Sequence, residues 1–277
     1  MKEVALPSGE RVPAFGMGTW NMGDDPARRL EELATLRLGL DRGVRLIDTA
    51  EMYGDGRAET LVGEAITGRR EEVFLVSKVL PSNASRRGTV AACERSLRRL
   101  QTDRLDLYLL HWPGATPVAE TMAAFMELQQ AGKIRLYGVS NFDVEEMKEL
   151  WRDSLGSAVQ TNQILYNLSR RGVEWDLLSW LRQRRVPLMA YSPLEQARLL
   201  RTAALADFAR RQGMTPSQAA LSWLLSKEDV IVIPKTGRRE RLQENLGALQ
   251  HPLSPAQLGE LEALFPPPSS PQPLEML

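Results

Sequence analysis

The chain has 277 residues, a length that one α/β barrel fills without a second domain. Acidic and basic residues balance at 35 each, which removes the electrostatic case for nucleic acid or an anionic membrane surface. The lone cysteine, Cys93, excludes an internal disulfide framework and fits a reducing compartment.

In chain order the sequence opens on a short hairpin pattern, EVAL, a turn at Pro7-Ser8-Gly9, then RVPA. Strand-like runs follow at regular intervals: AFGMGTW, VRLIDTA, VFLVSKV, LDLYLLH, LYGVSNF, VQTNQIL, PLMAYSP and VIVIPKT. Helical patterns separate them, among them RRLEELATLRLGLDRG, AETLVGEAITG, RGTVAACERSLRRLQ, AETMAAFMELQQAGK, VEEMKELWRDSL, WDLLSWLRQRR and SQAALSWLLSK, with RERLQENLGALQ after the last strand. Eight strands alternating with helices predict a (β/α)8 TIM barrel with an N-terminal β-hairpin, one domain over 1–277. A doubly wound sheet would place G-x-G-x-x-G after an early strand, whereas Gly16-Met17-Gly18 runs into Thr19-Trp20. The tail PPPSSPQPLEML reads as an extended segment over or beside the barrel, or as an unordered terminus. No apolar run approaches the roughly 20 residues of a membrane span, and MKEVALPSGERV lacks a signal-peptide core, so the expectation is a cytoplasmic protein. Cys93 falls in a helical pattern and reads as a packed, inert thiol.

In such barrels the C-terminal strand ends carry the site. Polar residues that look out of place in their strands fall at that end: Asp48, Lys78, His111, Ser140-Asn141, Gln163, Tyr191-Ser192 and Lys235, with Tyr53 five residues beyond Asp48. Singly, each has an ordinary structural explanation, as a packing phenol, an ion pair or a hydrogen-bonded core imidazole. Convergence on one rim favours a proton-transfer device. A phenol near its ordinary pKa of about 10 is a sluggish acid at neutral pH. An adjacent ammonium is expected to lower that value, which suits Tyr53 to general acid work beside Lys78, with Asp48 fixing Lys78. His111 can donate to a carbonyl oxygen and orient it. Carbonyl reduction is the reaction such a set serves. With two histidines in all, a His-rich metal site is not expected.

The ordered set DTAEMYGDGRAETLVGEAI, LVSKV, LDLYLLHWP, GKIRLYGVSNF, QTNQILYN, MAYSPLEQ and VIPKTGRRERLQEN resembles the aldo-keto reductase family over almost the whole chain. The segment LIDTAEMYGDG with LVSKV also resembles a bacterial subgroup associated with methylglyoxal reduction. The resemblance implies Asp48, Tyr53, Lys78 and His111 as the catalytic tetrad, with Tyr53 the proton donor. It implies NADP(H) bound in extended form without a Rossmann domain. Ser140, Asn141 and Gln163 match residues that hold the nicotinamide carboxamide, and Tyr191 the ring that stacks on it. Ser192, Pro193, Leu194 and Gln196 match the pyrophosphate loop, and Gly18, Thr19 and Trp20 fall among the cofactor contacts with Asp48. Lys235, Thr236, Arg241, Glu244 and Asn245 match the grip on the adenosine 2′-phosphate and adenine, which implies NADPH over NADH. Trp20 and Trp112 match pocket residues that join Tyr53 and His111 around the substrate.

Two departures stand out. Gly54-Asp55-Gly56-Arg57-Ala58 intervenes before Glu59 where many members have Tyr-x-x-Glu, and Thr236 stands where Ser is common. The implied function is NADPH-dependent reduction of small aldehydes and ketones by a monomer with no nucleic-acid or membrane partner. The alternatives are a dehydrogenase oxidising alcohols or sugars, and a cofactor-sensing regulatory subunit on the same fold.

Overall fold

The computed structural model describes residues 2–277. An antiparallel hairpin, β1 (Glu3–Ala5) and β2 (Arg11–Pro13), comes first, with Val4 opposite Val12. Eight strands then lie parallel, each beside the next in sequence: β3 (Gly16–Gly18), β4 (Leu46–Asp48), β5 (Phe74–Val79), β6 (Leu105–Leu110), β7 (Ile134–Ser140), β8 (Asn162–Leu165), β9 (Leu188–Tyr191) and β10 (Val230–Val232). Single bridges close the ring between its first and last members, Phe15 to Val232 and Gly18 to Lys235. The Val232 N–H donates to the Ala14 carbonyl at 2.8 Å across that seam. The eight-stranded barrel expected from the alternating pattern is therefore the fold.

The helices are α1 (Arg29–Asp41), α2 (Arg57–Ala65), α3 (Arg86–Leu100), α4 (Val118–Gln130), α5 (Val144–Leu150), α6 (Leu177–Gln183), α7 (Ala203–Arg211), α8 (Pro216–Leu225), α9 (Arg239–Gly247) and α10 (Pro255–Leu264). Of these, α7 and α10 are absent from the patterns read above. Two helices follow β9, and α10 extends the chain past the last strand–helix unit. Several starts are fixed by side chains. The α5 capping box pairs Asp143 with Glu146, and that of α8 pairs Thr215 with Gln218 behind Pro216.

Strands buried on both faces explain the continuous apolar runs. In β6, Leu107 and Leu109 join the barrel interior, while Tyr108 and Leu110 face the helical layer. The interior cluster also takes in Val4, Leu6 and Val12 together with Leu46 and Phe74 at the strand starts. The hairpin thus plugs the N-terminal end and leaves the opposite end open. Register then sets the site: Gly18 pairs with Asp48, Lys78 with Leu109, and Ser140 with Gln163. Residues 266–277 continue beyond α10 without helix or strand, with a bend at Ser269-Ser270.

Candidate active site

The open end holds a cavity of about 400 Å³ whose walls include Trp20, Asp48, Tyr53, His111, Trp112, Ser140, Asn141, Gln163 and Tyr191. On its floor lies a buried ion pair. Lys78 is completely buried, and its Nζ donates to both Asp48 carboxylate oxygens at 2.8 Å and to the Thr49 carbonyl at 2.8 Å. The same nitrogen lies 3.2 Å from the Tyr53 hydroxyl. Gln163 Nε2 donates to Asp48 Oδ1 at 2.8 Å, so the carboxylate is fixed from a second strand. The four residues that the sequence scatters over 64 positions stand at one mouth, with the Tyr53 and His111 rings 5.8 Å apart, edge to face. Tyr53 reaches there through Gly54, Asp55 and Gly56, which take positive φ in succession. Gly54 has a φ of 57°, a backbone conformation that glycine adopts without the cost a side chain would bring.

Charge at the site follows from burial. Desolvation lowers the Lys78 ammonium from its usual value, opposed by Asp48. Burial, and then the Lys78 charge, hold His111 down to about 2, so the imidazole is neutral. Its Nδ1 is buried without a hydrogen-bond partner among the described residues. Tyr53 departs from the expectation drawn above. Burial raises its hydroxyl well above the ordinary phenol value, and the Asp48 charge adds to the rise. The reason is burial first: a phenolate in this dry site is penalised for lost solvation, and the Asp48 carboxylate beside it penalises it further. Tyr53 therefore holds its proton at any working pH. Lys78 stands in reach to stabilise the oxygen only as that proton leaves.

A second cavity, also about 400 Å³, adjoins the first and shares Trp20, Ser192, Gln196 and Lys235 with it. Pro193, Leu194, Thr236, Arg241, Glu244 and Asn245 complete the part of its wall anticipated from sequence. Together the two form an elongated groove from the barrel mouth to α9. Arg241, largely exposed, pairs with Glu244 at 2.8 Å, and burial lowers Lys235 against the opposing charge of Glu32. The loop after β9 is strained: Ser192, Glu195, Gln196 and Ala197 all have positive φ. Non-glycine residues held so cost about 1–3 kcal/mol each. A buried anchor holds them, since Glu195 accepts from Asn167 at 2.9 Å and from Arg170 at 2.9 Å. Inside the barrel Tyr191 Oη donates to Asn141 Oδ1 at 3.0 Å, and Ser140 Oγ to the Gln163 carbonyl at 2.8 Å.

Every site residue proposed from sequence lines this groove except Lys78, which lies beneath it. The sequence reading missed Met52, Ile233, Met276 and Leu277 on the first cavity and Asn21, Ala197, Leu200, Ser217 and Pro234 on the second. Met276 and Leu277 carried no local signal. Ile233 and Pro234 lie inside the VIVIPKT run and were readable from it.

Residues 14–265 match the model of the Aldo/keto reductase family. The chain belongs to that family. A methylglyoxal reductase of Escherichia coli (strain K12), YeaE, is 48% identical over 281 residues, covering 100% of this chain and 99% of its own. A glyoxal reductase of Bacillus subtilis (strain 168) is 33% identical, over 94% of this chain and 92% of its own. Among solved structures, an aldo-keto reductase from Klebsiella pneumoniae in complex with NADPH superposes with a TM-score of 0.96. It is 47% identical, covering 100% of this chain and 99% of that one. The protein is thus an aldo/keto reductase, an oxidoreductase, and the 48% identity to YeaE supports the methylglyoxal-reductase subgroup suggested by LIDTAEMYGDG with LVSKV.

Proposed function

We propose that this aldo/keto reductase reduces small aldehydes and ketones, including 2-oxoaldehydes such as methylglyoxal, to alcohols with NADPH as reductant. The observation that carries the reading is the buried Lys78–Asp48 pair held 3.2 Å from the Tyr53 hydroxyl at the open barrel mouth. The names of the relatives at 48% and 33% identity support the substrate class. NADPH bound in the Klebsiella pneumoniae protein supports the cofactor.

The groove suits such a cofactor, being elongated, lined by amide side chains at the mouth and by Lys235 and Arg241 at the far end. Ser140, Asn141 and Gln163 would hold the carboxamide and Tyr191 the ring. Gly18, Thr19, Trp20, Ser192, Pro193, Leu194 and Gln196 would line the middle, and Lys235, Thr236, Arg241, Glu244 and Asn245 the phosphate-bearing adenosine. When bound, NADPH supplies a hydride to the carbonyl carbon. The protein does the rest. Neutral His111 keeps an N–H with which to orient the carbonyl oxygen, and Trp20 and Trp112 wall the substrate. Tyr53 gives its proton to the oxygen as negative charge grows there, and Lys78 stabilises the phenolate left behind. Asp48 and Gln163 keep Lys78 in place for that moment.

Residues 1–277 act as one barrel domain in this reading, because hairpin, barrel and helices share the cores that shape the groove. One copy of the chain holds every group the reaction uses in this reading, so a monomer would suffice for it. Cys93 is buried and its thiol is pushed up to about 12 by burial, so it takes no part in the chemistry, and a chain with this single cysteine suits a reducing, cytoplasmic setting. Among the described residues no helix is long and apolar enough to cross a membrane.

The test is loss of NADPH absorbance on adding methylglyoxal, with Tyr53→Phe alongside. The variant should lose on the order of 10²–10⁴-fold in kcat while NADPH still binds, because only the proton donor is removed. Turnover equal to wild type would mean that another group delivers the proton.

A further inference from the structure

The proposed reading leaves one side-chain cluster unused. Arg170, between β8 and α6, donates through Nε and Nη2 to Glu195 Oε1 at 3.0 and 2.9 Å. Through Nη1 it pairs with Glu275. Its two partners belong to different walls of the groove. Glu195 is the buried anchor of the strained loop 192–197, whose Ser192 and Gln196 border both cavities. Glu275 lies in the segment after α10, whose next residues, Met276 and Leu277, line the same mouth cavity as Tyr53 and Trp112. The Leu277 backbone also lies beside the Tyr191 hydroxyl, where it opposes the rise that burial imposes. Upstream, Gln272 packs over Gly172. One guanidinium therefore holds both the loop beside the pyrophosphate positions and the segment that covers the carbonyl end.

We propose that Arg170 is a positioning residue that ties loop 192–197 to the 272–277 segment, so that Met276 and Leu277 form the apolar wall that selects carbonyl substrates by size. This rests on the carbonyl-reductase reading of the site. A fork geometry suits the task, because a guanidinium holds two carboxylates in one plane where an ammonium would hold them as a point charge. Glu275 is half exposed, so its pair is a weak latch, and it sets how often the wall is in place without supporting the fold.

The experiment compares kcat and KM for methylglyoxal and for 4-nitrobenzaldehyde, with NADPH affinity by fluorescence titration, in wild type, Glu275→Gln and Arg170→Gln. In Glu275→Gln, NADPH affinity should stay at the wild-type value. KM for methylglyoxal should rise with kcat preserved, since uniform binding is what a wall supplies. The preference for the small aldehyde should shrink by up to about fivefold, the range of an exposed pair. Arg170→Gln should add a weaker NADPH affinity, because it also releases Glu195. Should Arg170→Gln fail to fold, Glu275→Gln carries the test alone, leaving the buried pair intact. An active wild type whose size preference is unchanged in Glu275→Gln overturns the inference and leaves the proposed function standing. A wild type that consumes no NADPH with either aldehyde overturns the proposed function, and the inference with it.

Discussion

Burial and the Lys78 charge hold the His111 imidazole down to about 2 from an ordinary value near 6.5, so the folded protein refuses a proton that the unfolded chain accepts. A depressed folded value means that the stability is complete above about pH 6.5 and is lost as pH falls from there towards 2. Each unit below 6.5 costs roughly 1.4 kcal/mol, so at pH 4.5 the loss is about 2–3 kcal/mol. Denaturant unfolding at pH 7 and pH 4.5 should show that loss in wild type, and His111→Gln should lack that part of it. A variant whose stability falls just as steeply would mean that the imidazole is not the group refusing the proton. At this scale the sequence was most informative where a titratable residue closed an apolar run, as Asp48, Lys78 and His111 do. The protonation balance was not readable. The Tyr53 hydroxyl is raised by burial and then by the Asp48 charge, and how deeply the phenol lies beside that carboxylate appears only in three dimensions.

Strands buried on both faces announce themselves as unbroken apolar runs, which is why all eight barrel strands were legible while their ends were overextended. AFGMGTW yields only Gly16–Gly18, and Gln163 sits inside β8 rather than at its end. The helices α7 and α10 were missed for different reasons. A repeating strand–helix frame gives no cue for a second helix after β9, whereas α10 carried a usable sign in the Ser254–Gln257 capping box ahead of Pro255. Loop 192–197 had none, because its positive φ falls on Ser, Glu, Gln and Ala, not on glycines. The seam between β3 and β10 is the thinnest part of the barrel, joined by isolated bridges. There Gly18 lets the chains approach, since a Cβ on it would stand 2.9 Å from the Ile233 backbone carbonyl. Backbone cannot swing aside as a side-chain tip does. Gly18→Ala should therefore cost about 1–3 kcal/mol in thermal or denaturant unfolding, and the displaced β3 should lower kcat through Asp48, its registered partner. An unchanged melting temperature would mean that the seam yields freely.

Across the whole molecule charge cancels, 35 basic against 35 acidic residues, so no net positive charge draws a polyanionic cofactor towards the barrel. Discrimination between NADPH and NADH must then be local, in the far cavity, about where α9 begins. Lys235 and Arg241 stand on its wall, and α9 directs its first backbone N–H groups from Arg239 onward. Arg241 is largely exposed and pairs with Glu244, a surface contact of small worth. A phosphate oxygen pair would be a stronger partner for the guanidinium than that carboxylate. Arg241→Ala should weaken NADPH binding by about tenfold or more, and NADH binding by much less, as a charge-assisted contact of about 1.5–3 kcal/mol is lost from one ligand only. Raising salt should narrow the NADPH advantage in wild type and do little in the variant. Equal losses for both cofactors would assign Arg241 to the stability of α9, and would leave Lys235 to carry the distinction alone.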